Sequence, residues 1–334
     1  MDRDRAREIF TPAALEALKS FPVDPRSLEL VSLSENVTFR VTDARDGSDY
    51  VLRLHRPGYH NLAELESERM WTKALARAGM GVPIGVSGRD GCDYVSVEVA
   101  ALGQHRFAGM ARWTPGELLA SVLARTDDPG RSGLLVEQLG RIAAALHNQS
   151  SAWRPPPAFT RHALDTEGLM GGAPFWGRFW DHPALSASER ELMLAARARI
   201  TEVLERLGRR PSSYGVIHAD LHPHNVLIDD RDRLTVIDFD DTAFGWRLYD
   251  LAVALLNYEG RADFTALESA FLRGYRARRD LSEADEALIP MFRLVRRLAV
   301  IGWLHQRPEI DRSAIFDQMK AEVCERCARF EPPC

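Results

Sequence analysis

The segment 216–240, VIHADLHPHNVLIDDRDRLTVIDFD, concentrates imidazole, amide and carboxylate side chains around two apolar runs. His218-x-Asp220 is followed by Asn225, and Asp238 closes an apolar run thirteen residues further on. An amide oxygen and a carboxylate suit a hard cation such as magnesium, which prefers oxygen ligands. A second carboxylate nearby can orient a hydroxyl and take its proton. Together they fit phosphoryl transfer, whose transition state spreads negative charge and needs metal ions and positioning more than covalent chemistry. On this logic Asp220 is the base, Asn225 offers a neutral oxygen to magnesium, and Asp238 a charged one. A bare H-x-D-x-x-x-x-N is a weak signal. Here NVLID (225–229) and LTVIDF (234–239) read as strands joined by an Asp229–Asp232 turn, a context that makes the match far more specific.

The elements that must position these groups change character along the chain. Residues 12–20 read as a short helix with Thr11 as N-cap and Pro12 at its first position. The β-branched runs 28–33, 37–42, 50–55, 93–99 and 105–112 predict a five-stranded antiparallel sheet, with an Asp-Gly hairpin turn at 43–48 and a helix over 62–78. Trp113-Thr-Pro-Gly116 stops the last strand and reads as a hinge, since Pro-Gly cannot continue a ladder. Beyond it, helical spacing covers 134–148, 186–207, 247–258, 262–277, 282–305 and 312–329, around an irregular excursion at 151–185. The expectation is an α+β, two-lobed chain. Residues 1–112 form the N-terminal lobe, 113–116 the hinge, and 117–334 a mostly helical C-terminal lobe.

Composition narrows the function classes. The 334 residues hold 43 basic and 48 acidic side chains, a net charge of −5, which speaks against a dedicated nucleic-acid or membrane-surface binder. The mixed-charge N-terminus has no apolar core behind it, so no secretory signal is expected. No apolar run is long enough to span a bilayer, and a cytoplasmic location is the expectation. Cys92, Cys324, Cys327 and Cys334 are too scattered for a disulfide framework, and the lone C-x-x-C at 324–327 has no second pair to complete a zinc site. His222 and His224 flank Pro223 and form a His-Asp-His cluster, but three residues on one tight loop seldom encircle a metal. Phe175, Trp176, Phe179 and Trp180 read as packing of the irregular excursion, or else as the lining of an acceptor pocket. The arginine runs 276–279 and 293–297 read as solvated helix faces or ion pairs. No G-x-x-x-x-G-K-[ST] occurs, which excludes a P-loop nucleoside triphosphatase.

The catalytic segment resembles the aminoglycoside phosphotransferase and choline kinase-like superfamily, distant relatives of the protein kinases, over roughly residues 28–277. The resemblance implies a protein-kinase-like fold that uses ATP and magnesium. It implies Asp220 as catalytic base, with His218 bracing its loop. Asn225 and Asp238 would be the magnesium ligands, with Asp240 as a further acidic residue at the metal. Asp250 matches a position that holds the catalytic loop in relatives; it also reads as the N-cap of a helix over 251–258. On the nucleotide side, the Ser34-Glu35-Asn36 turn would cover the phosphates through Ser34 or Asn36, or else is an ordinary polar turn. Met110 to Trp113 would lie beside the adenine. The third strand of relatives supplies a basic residue to the phosphates. Only three of the basic residues are lysines, at 19, 73 and 320, and none lies on that strand. Arg53 is therefore the expected phosphate ligand, with Glu68 as its carboxylate partner.

Three functions remain open at this level. The first is a kinase for a small-molecule hydroxyl acceptor such as an amino alcohol, a sugar or an aminoglycoside. The second is a protein Ser/Thr kinase: residues 171–255 look closer to stress response kinase A and type II homoserine kinases than to the drug-resistance enzymes, which keeps both a protein substrate and a small amino alcohol open. The third is a non-catalytic nucleotide-binding scaffold.

Overall fold

The computed structural model describes residues 2–34, 36–308 and 313–332. In chain order the elements begin with α1 (Arg3–Leu18), β1 (Pro25–Leu33), β2 (Val37–Asp43), β3 (Asp49–Leu54), α2 (Leu62–Arg77), β4 (Gly85–Val86), β5 (Tyr94–Val99) and β6 (Gln104–Arg112). There follow β7 (Glu117–Leu118), α3 (Leu119–Arg125), α4 (Pro129–Ala152), β8 (Ala163–Leu164), α5 (Thr166–Met170), α6 (Ala187–Leu207) and β9 (Tyr214–Ile217). The chain continues with β10 (Val226–Ile228), β11 (Leu234–Val236), β12 (Ala243–Trp246), α7 (Arg247–Leu256), α8 (Phe264–Arg276), α9 (Glu283–Glu286), α10 (Ile289–His305) and α11 (Ser313–Arg329).

The chain divides into two compact units, each discontinuous in sequence. The first comprises Met1–Glu117, Arg154–Thr160 and Leu227–Asp240. Its sheet runs β1-β2-β3-β6-β4, with β5 also paired to β6, and every pairing is antiparallel. Strict alternation along β2 sends Val37, Phe39 and Val41 to one face, where they meet Leu52 and Leu54 of β3 and Phe10 of α1. The sheet has one strand more than the five expected, because β4 is two residues long and too short to carry an alternating pattern. The first helix also differs from expectation. It spans Arg3–Leu18, Asp2 rather than Thr11 caps it, and Pro12 lies inside it. Ala6, Phe10, Ala13, Ala14 and Ala17 form a buried stripe, so packing outweighs the ~3 kcal/mol that an interior proline costs.

The second unit comprises Leu118–Trp153, Arg161–Val226 and Asp241–Cys334. It is helical apart from β12, which pairs antiparallel with β9 and parallel with β8. The helix expected over 282–305 is interrupted: Ser282 caps the short α9, and α10 begins afresh with Pro290 in its first turn. The helix expected over 134–148 reaches further, from Pro129 to Ala152, because Asp128 caps it. The excursion 151–185 holds only short elements, and Trp176, Phe179 and Trp180 are buried. Among the described residues no helix is long and apolar enough to cross a membrane. Glu35, Cys334 and the expected helix start at 312 lie outside the described residues.

Helices α4 and α8 approach so closely that glycine is required on both. A Cβ on Gly140 would stand 2.0 Å from the Phe271 carbonyl oxygen, and one on Gly274 would stand 2.0 Å from that of Glu137. Gly133, on the same helix as Gly140, faces open space. We therefore expect Gly140→Ala to lower stability by ~1–3 kcal/mol. Gly133→Ala should be neutral or stabilising by up to about 1 kcal/mol. Denaturant midpoints at unchanged m-value measure both, and equal midpoints for the two variants would rule out close packing as the reason for Gly140.

Candidate active site

Within the first unit a cavity of about 250 Å3 opens beside the sheet, lined by Val31, Val51, Met110, Leu227 and Ile237 together with Arg53, Glu68 and Asp238. Apolar walls around a few convergent charges suit a flat ring that carries an anionic tail. Arg53 donates to the Asp238 carboxylate at 2.9 Å. Burial alone would weaken the guanidinium's hold on its proton, but Asp238, Asp240 and Glu68 together strengthen it. Glu68 therefore acts on Arg53 through the field, while the hydrogen bond goes to Asp238. Met110 lies on β6 opposite Leu52 of β3, so its buried side chain joins the Phe10 face of the sheet; what it brings to the cavity wall is backbone, and its carbonyl accepts from Arg69 at 2.9 Å. Gly116, at the end of the cavity wall, has a φ of +140°, and a Cβ there would stand 2.7 Å from the Ile228 carbonyl.

Asp238 is held by its neighbours in sequence. Phe239 packs edge-on against Trp71 of α2 with ring centroids 5.5 Å apart, and both side chains are fully buried. Asp240 accepts from the Asn36 amide at 3.0 Å and lies 3.6 Å from the His55 ring, while its own carbonyl meets His60 Nε2 at 2.7 Å. Burial pushes the Asp240 carboxyl up, but His55, Arg53 and His60 overcome this and hold it far below the usual carboxylate range. Between these two anchors Asp238 adopts a φ of +61°, a conformation that costs a non-glycine residue on the order of 1 kcal/mol. The amide of Asn36 is engaged at both ends, since its oxygen accepts from the Arg56 N–H at 2.9 Å. Ser34 is exposed, and its N–H donates to the Asn36 carbonyl at 3.1 Å, which closes the turn.

In the second unit the loop around Asp220 is organised from beneath. Asp250 is fully buried and accepts from the backbone N–H groups of His218 at 3.0 Å and Ala219 at 2.7 Å. The same carboxylate meets His147 Nε2 at 3.0 Å, and His147 Nδ1 meets the Tyr275 hydroxyl at 2.9 Å. A carboxylate only accepts, so Nε2 carries the ring proton and Nδ1 accepts from Tyr275. Burial keeps His147 neutral, against the pull of Asp250. The helix-cap reading of Asp250 does not hold: α7 starts at Arg247 with Trp246 as its N-cap, and Asp250 lies inside the helix. Ala219 has a φ of +66°, a strain stabilised by these two hydrogen bonds, and it turns the chain so that Asp220 follows.

Asp220 is surrounded. One carboxylate oxygen is ion-paired with Arg296; the other accepts from Asn225 Nδ2 at 2.7 Å and lies 3.2 Å from His222 Nε2. Its N–H points to His218 Nδ1 at 3.3 Å, so His218 braces the loop through its ring. Burial alone would favour the neutral acid, but Arg296, His222 and His218 hold Asp220 ionised. The Asn225 amide nitrogen is spent on Asp220, which leaves its oxygen as the group available to a cation. Arg296 was not singled out in the sequence, where 293–297 reads as helix faces or ion pairs. Its guanidinium lies 5.3 Å from the Trp176 ring centre and 3.5 Å from the Tyr249 hydroxyl. Arg293 and Arg297 are ion-paired with Glu259, so the run serves ion pairs rather than a solvated face. No signal in the one-dimensional pattern separates Arg296 from its neighbours. Cys324 and Cys327 are one turn apart on α11, and burial pushes the Cys327 thiol up to about 12.

The Asp250 geometry makes a quantitative expectation. Asp250→Ala would leave two buried N–H groups and a buried imidazole without their acceptor, each worth ~1–3 kcal/mol. We expect it to destabilise the chain by at least about 3 kcal/mol in a denaturation experiment. Asp250→Asn, which retains one accepting oxygen, should lose distinctly less; equal losses would mean that acceptance by the carboxylate is not what matters.

Comparison with known proteins now identifies the chain's relatives. Residues 28–287 match the model of the phosphotransferase enzyme family. The solved structure of a microcompartment-associated aminopropanol kinase is 34% identical with a TM-score of 0.83, covering 96% of this chain and 97% of that one. The amicoumacin kinase of Bacillus subtilis is 24% identical, covering 87% of this chain and 83% of that protein. A homoserine kinase of Granulibacter bethesdensis is 28% identical, covering 85% and 83%. The fold is the α+β, protein-kinase-like one expected from the sequence. The chain belongs to the phosphotransferase enzyme family, and it is a kinase with an alcohol group as acceptor.

Proposed function

We propose that this kinase moves the γ-phosphoryl group of ATP, with magnesium, to the hydroxyl of a small acceptor that also carries an amino group. The observation that carries the reading is the environment of Asp220: a half-buried carboxylate held ionised beside Asn225, in a chain of a phosphotransferase family. Aminopropanol and homoserine, the acceptors named for two relatives, both combine a hydroxyl with an amine, and this supports an amino-alcohol class of substrate.

In this proposal Asp220 takes the proton of the acceptor hydroxyl as the phosphoryl group arrives, and His218 and Asp250 hold its loop. Arg53, supported by Glu68, binds the phosphates as the lysine does in other kinases, and Ser34 caps them from the turn above. The backbone of β6 at Met110 borders the base. Asn225, whose amide oxygen is uncommitted, and Asp238, whose carboxylate is more than a third exposed, have the donor chemistry to hold magnesium. Magnesium, when bound, neutralises charge on the donor phosphates. The other two residues expected at the nucleotide and metal act at one remove: Asn36 and Asp240 bond to each other and brace the Ser34 turn. Residues 1–112, with the 227–240 segment of the same unit, would then serve the nucleotide, 113–116 the hinge, and the remainder of 117–334 the chemistry and the acceptor.

Two variants test the roles. Asp220→Asn should lower turnover by about 100- to 10,000-fold while nucleotide affinity is retained. Near-normal turnover would remove Asp220 from the mechanism. Arg53→Ala should raise KM for ATP or cut turnover sharply, and a variant unchanged in both would mean that another residue meets the phosphates. A panel of amino alcohols, hydroxy amino acids, sugars and aminoglycosides, assayed for ATP consumption, tests the acceptor class. Turnover confined to acceptors without an amine would overturn it.

A further inference from the structure

A second feature of the helical unit lies outside the site described above. Between the C-terminal end of α8 and the loop before β9 is a cavity of about 760 Å3, lined among others by Arg210, Ser212, Arg276, Arg278, Arg279 and Asp285. Arg276 is ion-paired with Glu286. The other three arginines are not: among the described residues no carboxylate lies within ion-pair distance of Arg210, Arg278 or Arg279. Arg279 instead donates to neutral oxygens, those of Asn148 at 2.8 Å, Ser151 at 3.3 Å and the Ser212 carbonyl at 2.8 Å.

Directly beneath lies Arg247, which is only 4% exposed. It too bonds to neutral oxygens alone, the carbonyls of Pro211 at 3.0 Å and Tyr214 at 3.2 Å and the Ser151 hydroxyl at 2.8 Å. Arg247 and Arg279 thus share one hydroxyl. Burial and the charge of Arg279 bring the Arg247 guanidinium down to about 10. The carboxylates at the cavity, Asp280 and Asp285, do not balance four guanidinium groups, and Asp285 is already bonded to Ser282. A chain that is acidic overall therefore concentrates uncompensated positive charge in one concave place, and a bound anion is the usual remedy for that.

We propose that this cavity binds a phosphate-bearing small molecule, and that its occupancy acts on the catalytic loop. The connection is covalent and hydrogen-bonded throughout. Arg247 opens α7, which carries Asp250. Ser151, shared by the two arginines, donates to the His147 carbonyl at 2.6 Å, and the His147 ring bonds Asp250, which holds the N–H groups of His218 and Ala219. An anion that draws Arg279 and offsets the charge on Arg247 acts on the residues that grip the loop. Binding at this cavity stands apart from the proposed reaction, and so does its test.

The experiment measures thermal stability with magnesium and a non-hydrolysable ATP analogue held saturating, which keeps added phosphate out of the nucleotide site. Inorganic phosphate and glycerol 3-phosphate are titrated at constant ionic strength against sodium chloride. The wild type should show a saturable rise in Tm with both. In Arg210→Gln/Arg278→Gln, whose exposed side chains make no ion pair among the described residues, the apparent affinity should fall by at least about tenfold. Arg279→Ala should do the same, and each variant is compared with its own ligand-free Tm. No saturable rise, or a rise of equal affinity in the variants, overturns the site. Hydrogen exchange over residues 216–222 should slow with phosphate in the wild type and not in the double variant. Binding that leaves this exchange unchanged overturns the link to the loop.

Discussion

Much of the helical unit is arranged around one buried carboxylate. Asp250 accepts three hydrogen bonds, two from consecutive backbone N–H groups and one from an imidazole that is itself held by a tyrosine hydroxyl. A fully buried carboxylate survives only when its oxygens are satisfied in this way. In return it holds Ala219 in a left-handed conformation that alanine seldom adopts. That turn aims Asp220, and through it the contacts with Asn225, His222 and Arg296. Much of the precision with which Asp220 and its neighbours are placed therefore originates one layer below them.

The sheet unit solves a similar problem with different means. Asp238 also has a positive φ, and it is held by a buried aromatic ring on one chemical pair, Phe239 with Trp71, and by the Asp240 cluster of Asn36, His55 and His60. Arg53 closes this arrangement from the third strand. Its guanidinium always carries its charge and presents several donors in a fixed plane, so it can keep an acidic neighbour and still offer donors to an anion. The scarcity of lysine in the chain thus has a local counterpart: the basic position of this strand is filled by the residue that tolerates burial beside three carboxylates.

Arginine does several distinct jobs here, and only the surroundings separate them. Arg296 stacks near an aromatic ring and neutralises Asp220; Arg293 and Arg297 tie α10 to Glu259; Arg69 caps a strand carbonyl on β6. Arg247 and Arg279 bond only to neutral oxygens and leave their charge uncompensated. Charge-assisted hydrogen bonding is common to all of these, and the difference lies in whether a carboxylate is present to receive it.

The residue pattern by itself carried the order of the longer strands and helices, the alternation that builds β2 and β3, the hairpin turn between them, and the His218-x-Asp220, Asn225 and Asp238 spacing. These are local features, governed by side-chain period and turn chemistry, and they can be read in one dimension. Only the tertiary structure decided the rest. It extended α1 through Pro12, because a stripe of buried alanines and Phe10 outweighs the proline. It turned Asp250 from a helix cap into the acceptor that holds the loop, and it engaged both ends of Asn36 within the sheet unit. It singled out Arg296 from a run of similar arginines. Each of these depends on partners dozens to hundreds of positions away, and the free energy of a buried charge is set by those partners rather than by its neighbours in sequence.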